Sequence, residues 1–297
     1  MRIPDHWYFV GMFDVLGFEA KFARLGLRGM AALYDALITD VNAMNAHAAE
    51  LDCFLKLDDE AIWVEGGDAF VFNRVNGAYA SDSIVLWAHA HFPEARALSP
   101  AERASRATDP AEGWMYHFIP CDRFLDACNH LLCRALEIGL PLRGAVALGP
   151  AIIEEQRQIF LGQPIIDAAR AEKEQRIIGA GLTRSFLEQV IPNRFTLPFQ
   201  RHIKTDSSPM LSNYVLDWPR HWCRVRSGEL QSTVEALNED PKFAIYYENT
   251  QDLIDASNAR APKRDKLSDW SIRNTYPQFS SSELKLKLRA VRRVNQL

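Results

Sequence analysis

The chain has 297 residues, of which 47% are hydrophobic and 24% charged, and its formal net charge is −4. That length suits one large domain or a domain of about 150–200 residues with an extension, and the charge balance offers no global basic field to nucleic acid or to an anionic membrane surface. The apolar runs fall short of the ~20 residues a membrane helix needs, MRIPDHWYFV lacks the plan of a signal peptide, and five cysteines without a C-x-x-C pair argue against a zinc or disulfide framework, so a cytoplasmic protein is expected.

The first predicted element is the strand WYFVGMFDVLGF, residues 7–18. It carries one carboxylate, Asp14. An ionised carboxylate withdrawn from water needs a partner or a metal, or its pKa rises until it neutralises. Residues 26–50 repeat apolar side chains at helical spacing through Met30, Leu33, Leu37, Val41 and Met44, which predicts one long helix. Strand-like segments follow at 61–64, 70–75 and 83–87, punctuated by Gly66-Gly67 and by Asn76-Gly77, a hairpin signal. Residues 93–113 hold three prolines and few large apolar side chains, and read as a mobile insertion.

Asp122 is placed as the N-cap of a helix whose apolar stripe runs through Phe124, Leu125, Cys128, Leu131, Leu132, Ala135 and Leu136 and ends at Gly139 and Pro141. A strand at 142–148, a turn at Gly149-Pro150, a strand at 151–153 and a helix at 164–174 come next. This order suits an α+β fold of ferredoxin-like type, a sheet with helices on one face. Past about residue 190 the texture changes, giving a domain at 1–190 and a mainly helical C-terminal extension at 191–297, whose closing KLKLRAVRRV reads as a basic surface helix.

The common catalytic signatures are absent: no G-x-x-x-x-G-K-[ST], G-x-G-x-x-G, G-x-S-x-G or H-E-x-x-H. His89 and His91 could share a strand face, but no acid or cysteine completes a metal site there. What remains is acidic residues at strand ends: Asp14, Asp68 in EGGDAF and Asp82 in AYASDSIVLW. Two carboxylates brought together repel, and Mg²⁺ or Mn²⁺ relieves that repulsion while favouring nucleotide phosphates. The plainer alternative is that Asp14 caps the following helix and Asp82 closes a hairpin.

These residues carry a family resemblance. FDVLGF resembles the first metal-binding strand of class III nucleotide cyclases, SDSIVLW the hairpin bearing their second metal aspartate, LRGAVALGPAI the following strand and Gly-Pro turn, and FLGQPIIDAARAEKEQ the helix with their transition-state arginine, at Arg170. The resemblance covers roughly residues 7–190. The family's purine-reading positions fall near Ala78 and Ile159, neither of which can perform that readout, and Ile166 replaces the asparagine of the Arg helix. A cyclase with its metal site kept, its purine readers lost and a helical extension is similar to the bacterial pyrimidine cyclases of Pycsar antiphage defence.

The resemblance implies UTP as substrate and cyclic UMP as product, with CTP and cyclic CMP as the alternative. Two divalent cations would lie on Asp14, Asp82 and the Val15 carbonyl, with Arg170 as the catalytic arginine. It also implies a head-to-tail homodimer and a separate effector reached through the product. Phe18, at the end of FDVLGF, Arg74 and Tyr79 are taken as substrate-binding: Arg74 shares a predicted strand face with Phe70 and Phe72, and Tyr79 offers a ring or a hydroxyl. Arg74 could equally snorkel to water, Tyr79 pack on the core, and Arg170 pair with Glu174 at i+4. Two other readings stay open. One is a cyclase-fold nucleotide sensor without turnover. The other is a diguanylate-cyclase-like enzyme using EGGDAF, where Ala69 stands in place of the second carboxylate that such a hairpin needs.

Overall fold

Strand β1 (Trp7–Val15) sends Phe9 and Phe13 to one face of a sheet and Val10 and Met12 to the other. Both faces are covered, which explains why the stretch is almost wholly apolar. The computed structural model describes residues 7–55, 74–90, 119–190, 192, 195–204, 210–226, 228–238 and 240–260. After β1 come α1 (Phe18–Leu55), β2 (Asn76–Ala80), β3 (Ser83–His89), α2 (Ile119–Glu137) and β4 (Leu142–Glu154). These six elements give the order βαββαβ, with antiparallel strands in the spatial order β2-β3-β1-β4. That is the ferredoxin-like α+β arrangement expected from the sequence.

The chain continues through β5 (Ile159–Gly162), α3 (Gln163–Glu174), β6 (Gly179–Thr183), α4 (Arg184–Leu187), β7 (Thr196–Pro198), β8 (Leu211–Leu216), α5 (Trp218–Val225), α6 (Leu230–Ala236) and α7 (Ala244–Arg260). Among the described residues the sheet reads β2-β3-β1-β4-β6-β8-β7, with β6 parallel to β4 and β5 paired to the far end of β4. The region beyond residue 190 thus supplies two strands to the sheet in addition to its helices.

Helices α1 and α2 cover the Phe9 and Phe13 face: Met30, Tyr34, Leu37 and Val41 come from α1, and Phe124 of α2 stacks on Phe9 at 5.6 Å. Trp218, Trp222, Tyr246 and Leu253 of α5 and α7 belong to the same core. Helix α3 lies on the opposite face, where Ala168 meets Val10 and Ala147, and Ala171 meets Ala145. The expectation of helices on one face therefore fails at α3, whose small residues let it sit close against the second face.

Three local expectations are corrected. The β2–β3 reversal falls at Ser81-Asp82, with Ser81 at φ 57°, whereas Asn76-Gly77 opens β2. Gly77 serves packing instead, since a Cβ there would lie 3.0 Å from Leu86 and 3.1 Å from Ile38. Helix α2 begins at Ile119, so Asp122 is not its N-cap; Pro120 sits in the first turn, where a missing N–H costs nothing. Strand β4 runs straight through Gly149-Pro150. Pro150 faces Trp7 at the end of the β1 ladder and Ala151 begins pairing with β5, so the residue without an N–H sits at the hand-over between neighbours. The predicted strand at 61–64, the EGGDAF segment with Asp68, residues 70–73, His91, the insertion at 93–113 and the basic KLKLRAVRRV lie outside the described residues.

Candidate active site

Antiparallel pairing puts Asp14 opposite Ser83 on one side and opposite Arg143 on the other. The turn before Ser83 carries Asp82, and its carbonyl accepts the Val15 N–H at 3.1 Å, tying the end of β1 to that turn. The two carboxylates singled out in the sequence are thereby carried by adjoining positions at the end of the sheet, where each lies in the field of the other. Burial pushes the Asp14 carboxyl above the ordinary carboxylate range; Arg143 pulls it down, and the charge of Asp82 and the hydrogen bond with it push it up again. After Val15 the chain turns through Gly17, at φ 71°, a conformation that suits glycine, and enters α1.

Asp14 is met by Arg143. The guanidinium donates from Nε at 3.2 Å and from Nη2 at 2.8 Å, both to Asp14 Oδ2. Its Nη1 donates to the Tyr246 hydroxyl at 3.0 Å, and the guanidinium carbon lies 5.9 Å from the Tyr246 ring centre. Glu172 of α3 approaches Arg143 Nε to 2.5 Å, yet its Oε1 is buried without a hydrogen bond because the Nε–H is directed at Asp14. Burial raises the Glu172 carboxyl to about 7 against the pull of Arg143, and Asp14 adds to the rise. On the neighbouring face Tyr34 donates to the Ser81 carbonyl at 3.0 Å. Burial, then Asp82 and Asp14, push its phenol up to about 12. Asp14, Asp82 and Tyr34 thus share one electrostatic environment.

Of the sequence-predicted residues, Asp14, Val15, Asp82 and Tyr79 are brought together. Tyr79 stacks on Tyr34 with ring centres 4.9 Å apart at 14°, and remains 46% exposed, so it packs on the core with one face and keeps the rest of its surface open. Phe18, the first residue of α1, stacks on Phe22 at 5.7 Å and packs against the core. Arg74 is exposed ahead of β2, and Ala80 beside the acid pair is the sixth residue after it, about 20 Å of extended chain. Arg170 is exposed on α3. Its candidate partner Glu174 instead accepts from the N–H groups of Met210 and Leu211. Glu172 lies two residues past Arg170, about 200° around the helix, and it is Glu172 that turns to Arg143. Arg170 therefore faces away from the acid pair of its own chain. Ala78 packs on the Val10 face, Ile159 opens β5, and Ile166 is exposed.

Arg143, Glu172, Tyr34 and Tyr246 were not singled out as site residues. The signal for Arg143 was present: a charged residue in the apolar strand LRGAVAL, the same anomaly that marks Asp14. A donor set of two neighbouring carboxylates fits a hard divalent cation that would take its remaining ligands from phosphate oxygens. Among the described residues no group of three or more His, Cys, Asp or Glu could hold a metal ion alone. An open cavity of about 740 Å³ lined by Phe199, Arg201, Tyr214 and Asp252 lies at the β7–β8 edge, apart from these acids.

No family model matches the sequence, and no curated protein matches it. Among the solved structures it is similar to are nucleotide cyclase domains. The catalytic core of a rhodopsin-guanylyl cyclase with converted specificity, in complex with ATPαS, is 13% identical, over 71% of this chain and 95% of that one, with a TM-score of 0.44. The guanylate cyclase domain of RhGC from Catenaria anguillulae, in complex with GTP, is 12% identical over 71% and 96%, with a TM-score of 0.42. The adenylyl cyclase CyaB from P. aeruginosa is 10% identical over 71% and 93%, with a TM-score of 0.36. No described helix is long and apolar enough to cross a membrane.

Proposed function

We propose that this protein is a class III nucleotide cyclase of the pyrimidine type, converting UTP to 3′,5′-cyclic UMP and pyrophosphate as a second messenger in antiphage defence. The observation that carries this reading is the placement of Asp14 beside Asp82: Asp14 pairs with Ser83, the Asp82 carbonyl accepts the Val15 N–H, and the charge of Asp82 pushes the Asp14 carboxyl up. A pair of like charges in a partly buried place is an arrangement that a cation rewards.

Two divalent ions, Mg²⁺ or Mn²⁺, on Asp14, Asp82 and the Val15 carbonyl would supply the lowered pKa of the ribose 3′-hydroxyl and the neutralisation of the triphosphate. The 3′-oxygen then attacks the α-phosphorus, the hydroxyl proton passes to water, and the bond to the bridging oxygen breaks as pyrophosphate leaves with the electron pair. Arg143 is a planar fork beside Asp14, suited to bind phosphate oxygens once it turns from the carboxylate. Arg170 faces away from its own acid pair, which favours its service to the partner site of a head-to-tail homodimer, stabilising charge on the α-phosphate. Tyr79, with its exposed surface, supports the base, and Arg74 of the same or the other protomer donates to uracil O4.

The test is incubation of the pure protein with each of the four nucleoside triphosphates and Mn²⁺, with products resolved by mass. Cyclic UMP is expected; intact triphosphate under every condition overturns the reading. One observation favours the rival, a nucleotide sensor without turnover: Asp14 Oδ2 is already taken by two hydrogen bonds from Arg143. Binding of a triphosphate without cyclisation would be its signature.

A further inference from the structure

Helix α7 lies beyond the region in which the sequence resembles a cyclase, yet its first turn borders the acid pair. Tyr246 is buried and accepts a hydrogen bond from Arg143 Nη1 at 3.0 Å, with the guanidinium carbon 5.9 Å from its ring centre. Phe243, just ahead of the helix, stands edge-on to Tyr246 with ring centres 6.1 Å apart. It reaches the β1–α1 turn, where a Cβ on Gly17 would come 3.5 Å from its ring.

This placement of Tyr246 is fixed from behind. Thr250 donates to the Tyr246 carbonyl at 2.5 Å and accepts the Ile178 N–H at 2.8 Å, and Asn249 donates to the Arg176 carbonyl at 2.9 Å. Residues 176–178 lead directly into β6, whose Gly179 is the Cα partner of Arg143 on β4. The helix that carries the phenol is therefore anchored to the segment entering β6, the strand that neighbours the one carrying Arg143. Of the three groups around Arg143, Asp14 belongs to the acid pair and Glu172 offers charge without a hydrogen bond. Tyr246 supplies a neutral hydrogen bond and an aromatic surface, neither of which is withdrawn when the acids are occupied.

We propose that Tyr246 is a positioning residue of the nucleotide site: it holds the Arg143 guanidinium beside the acid pair for the substrate's triphosphate, which makes the C-terminal helix a structural part of the catalytic centre. This rests on the cyclase reading above. Loss of the hydroxyl removes one hydrogen bond to a charged group and leaves the buried ring, so the effect falls on anion binding more than on folding.

The test compares wild type, Tyr246→Phe, Arg143→Ala and the double variant, in thermal melts, in cyclisation of UTP with Mn²⁺, and in equilibrium binding of 3′-deoxyuridine triphosphate, which lacks the attacking hydroxyl. Tyr246→Phe is expected to melt near wild type and to raise KM and weaken analogue binding about tenfold, while adding nothing to the loss in Arg143→Ala. Wild-type affinity in Tyr246→Phe, or losses that multiply in the double variant, overturns the proposal and leaves the cyclase reading standing. If wild type binds the analogue but does not cyclise UTP, the cyclase reading fails and the same binding comparison decides Tyr246. If wild type does neither, both fall.

Discussion

Arg143 and Asp14 are Cα partners across the β1–β4 ladder, and two N–H groups of the guanidinium end on the single oxygen Oδ2 of Asp14. Asp14 is thus held between an attractive arginine and a repulsive Asp82. The two acids then differ in what their loss does to stability. Asp14→Ala takes two hydrogen bonds and one of two counter-charges from a partly buried guanidinium and is expected to cost about 2 kcal/mol, whereas Asp82→Ala relieves a repulsion and is expected to melt at or slightly above wild type. Both should abolish cyclisation, and Asp68→Ala should have little effect. Activity lost in Asp68→Ala and kept in Asp82→Ala would instead favour the diguanylate-like hairpin.

Glu172 gives a pH signature. Its carboxyl is raised from 4.5 to about 7 in the folded protein, so between those values the folded state binds the extra proton. The resulting stabilisation is complete below about pH 4.5 and is lost as pH rises through about 7, a total on the order of 3 kcal/mol. Glu172→Gln removes that slope: relative to wild type the variant gains stability as pH rises across the window. Melting curves of the two proteins at intervals from pH 4.5 to 8 measure it, and parallel curves would mean that Glu172 is charged throughout.

Because Arg170 faces away from the acids of its own chain, assembly is open to a direct test. Mixing an Asp14→Ala protomer with an Arg170→Ala protomer is expected to restore one working site per heterodimer, although each variant alone is inactive. No recovery after demonstrated subunit exchange would place both residues in one protomer or make Arg170 structural.

The base is tested by competition. Uracil presents an O4 acceptor where cytosine presents an amino donor, and a site built on arginine donors leaves the latter facing a cation. With equal UTP and CTP, cyclic UMP should dominate in wild type. The preference should narrow at least tenfold in Arg74→Ala, while Tyr79→Ala should raise KM for both substrates. Dominant cyclic CMP would overturn the substrate and the role of Arg74 together.

The parts legible in the sequence were those written locally. A lone aspartate in an apolar strand marked Asp14, the stripe from Phe124 to Leu136 marked α2, and the order of strands and helices gave the ferredoxin-like arrangement. The site's remaining members are set by distant pairings: Arg143 lies 129 residues from Asp14, and Tyr246 lies 103 residues beyond Arg143. No periodicity links positions so far apart. The misread hairpin has a different cause. Asn-Gly is a strong turn signal, but Gly77 is needed where β2 presses on Leu86 and Ile38, and the reversal passes to Ser81.

The β1–β4 ladder also bears on how the molecule is made. At about 5–20 residues per second a ribosome needs on the order of ten seconds to travel the 129 residues between Asp14 and Arg143. Throughout that interval one edge of an apolar nine-residue strand has no native neighbour. Strand β3 arrives first and can cover only the other edge. Completion of the sheet therefore waits on the second half of the chain, and until then the unpaired edge of β1 is a template for pairing with other chains.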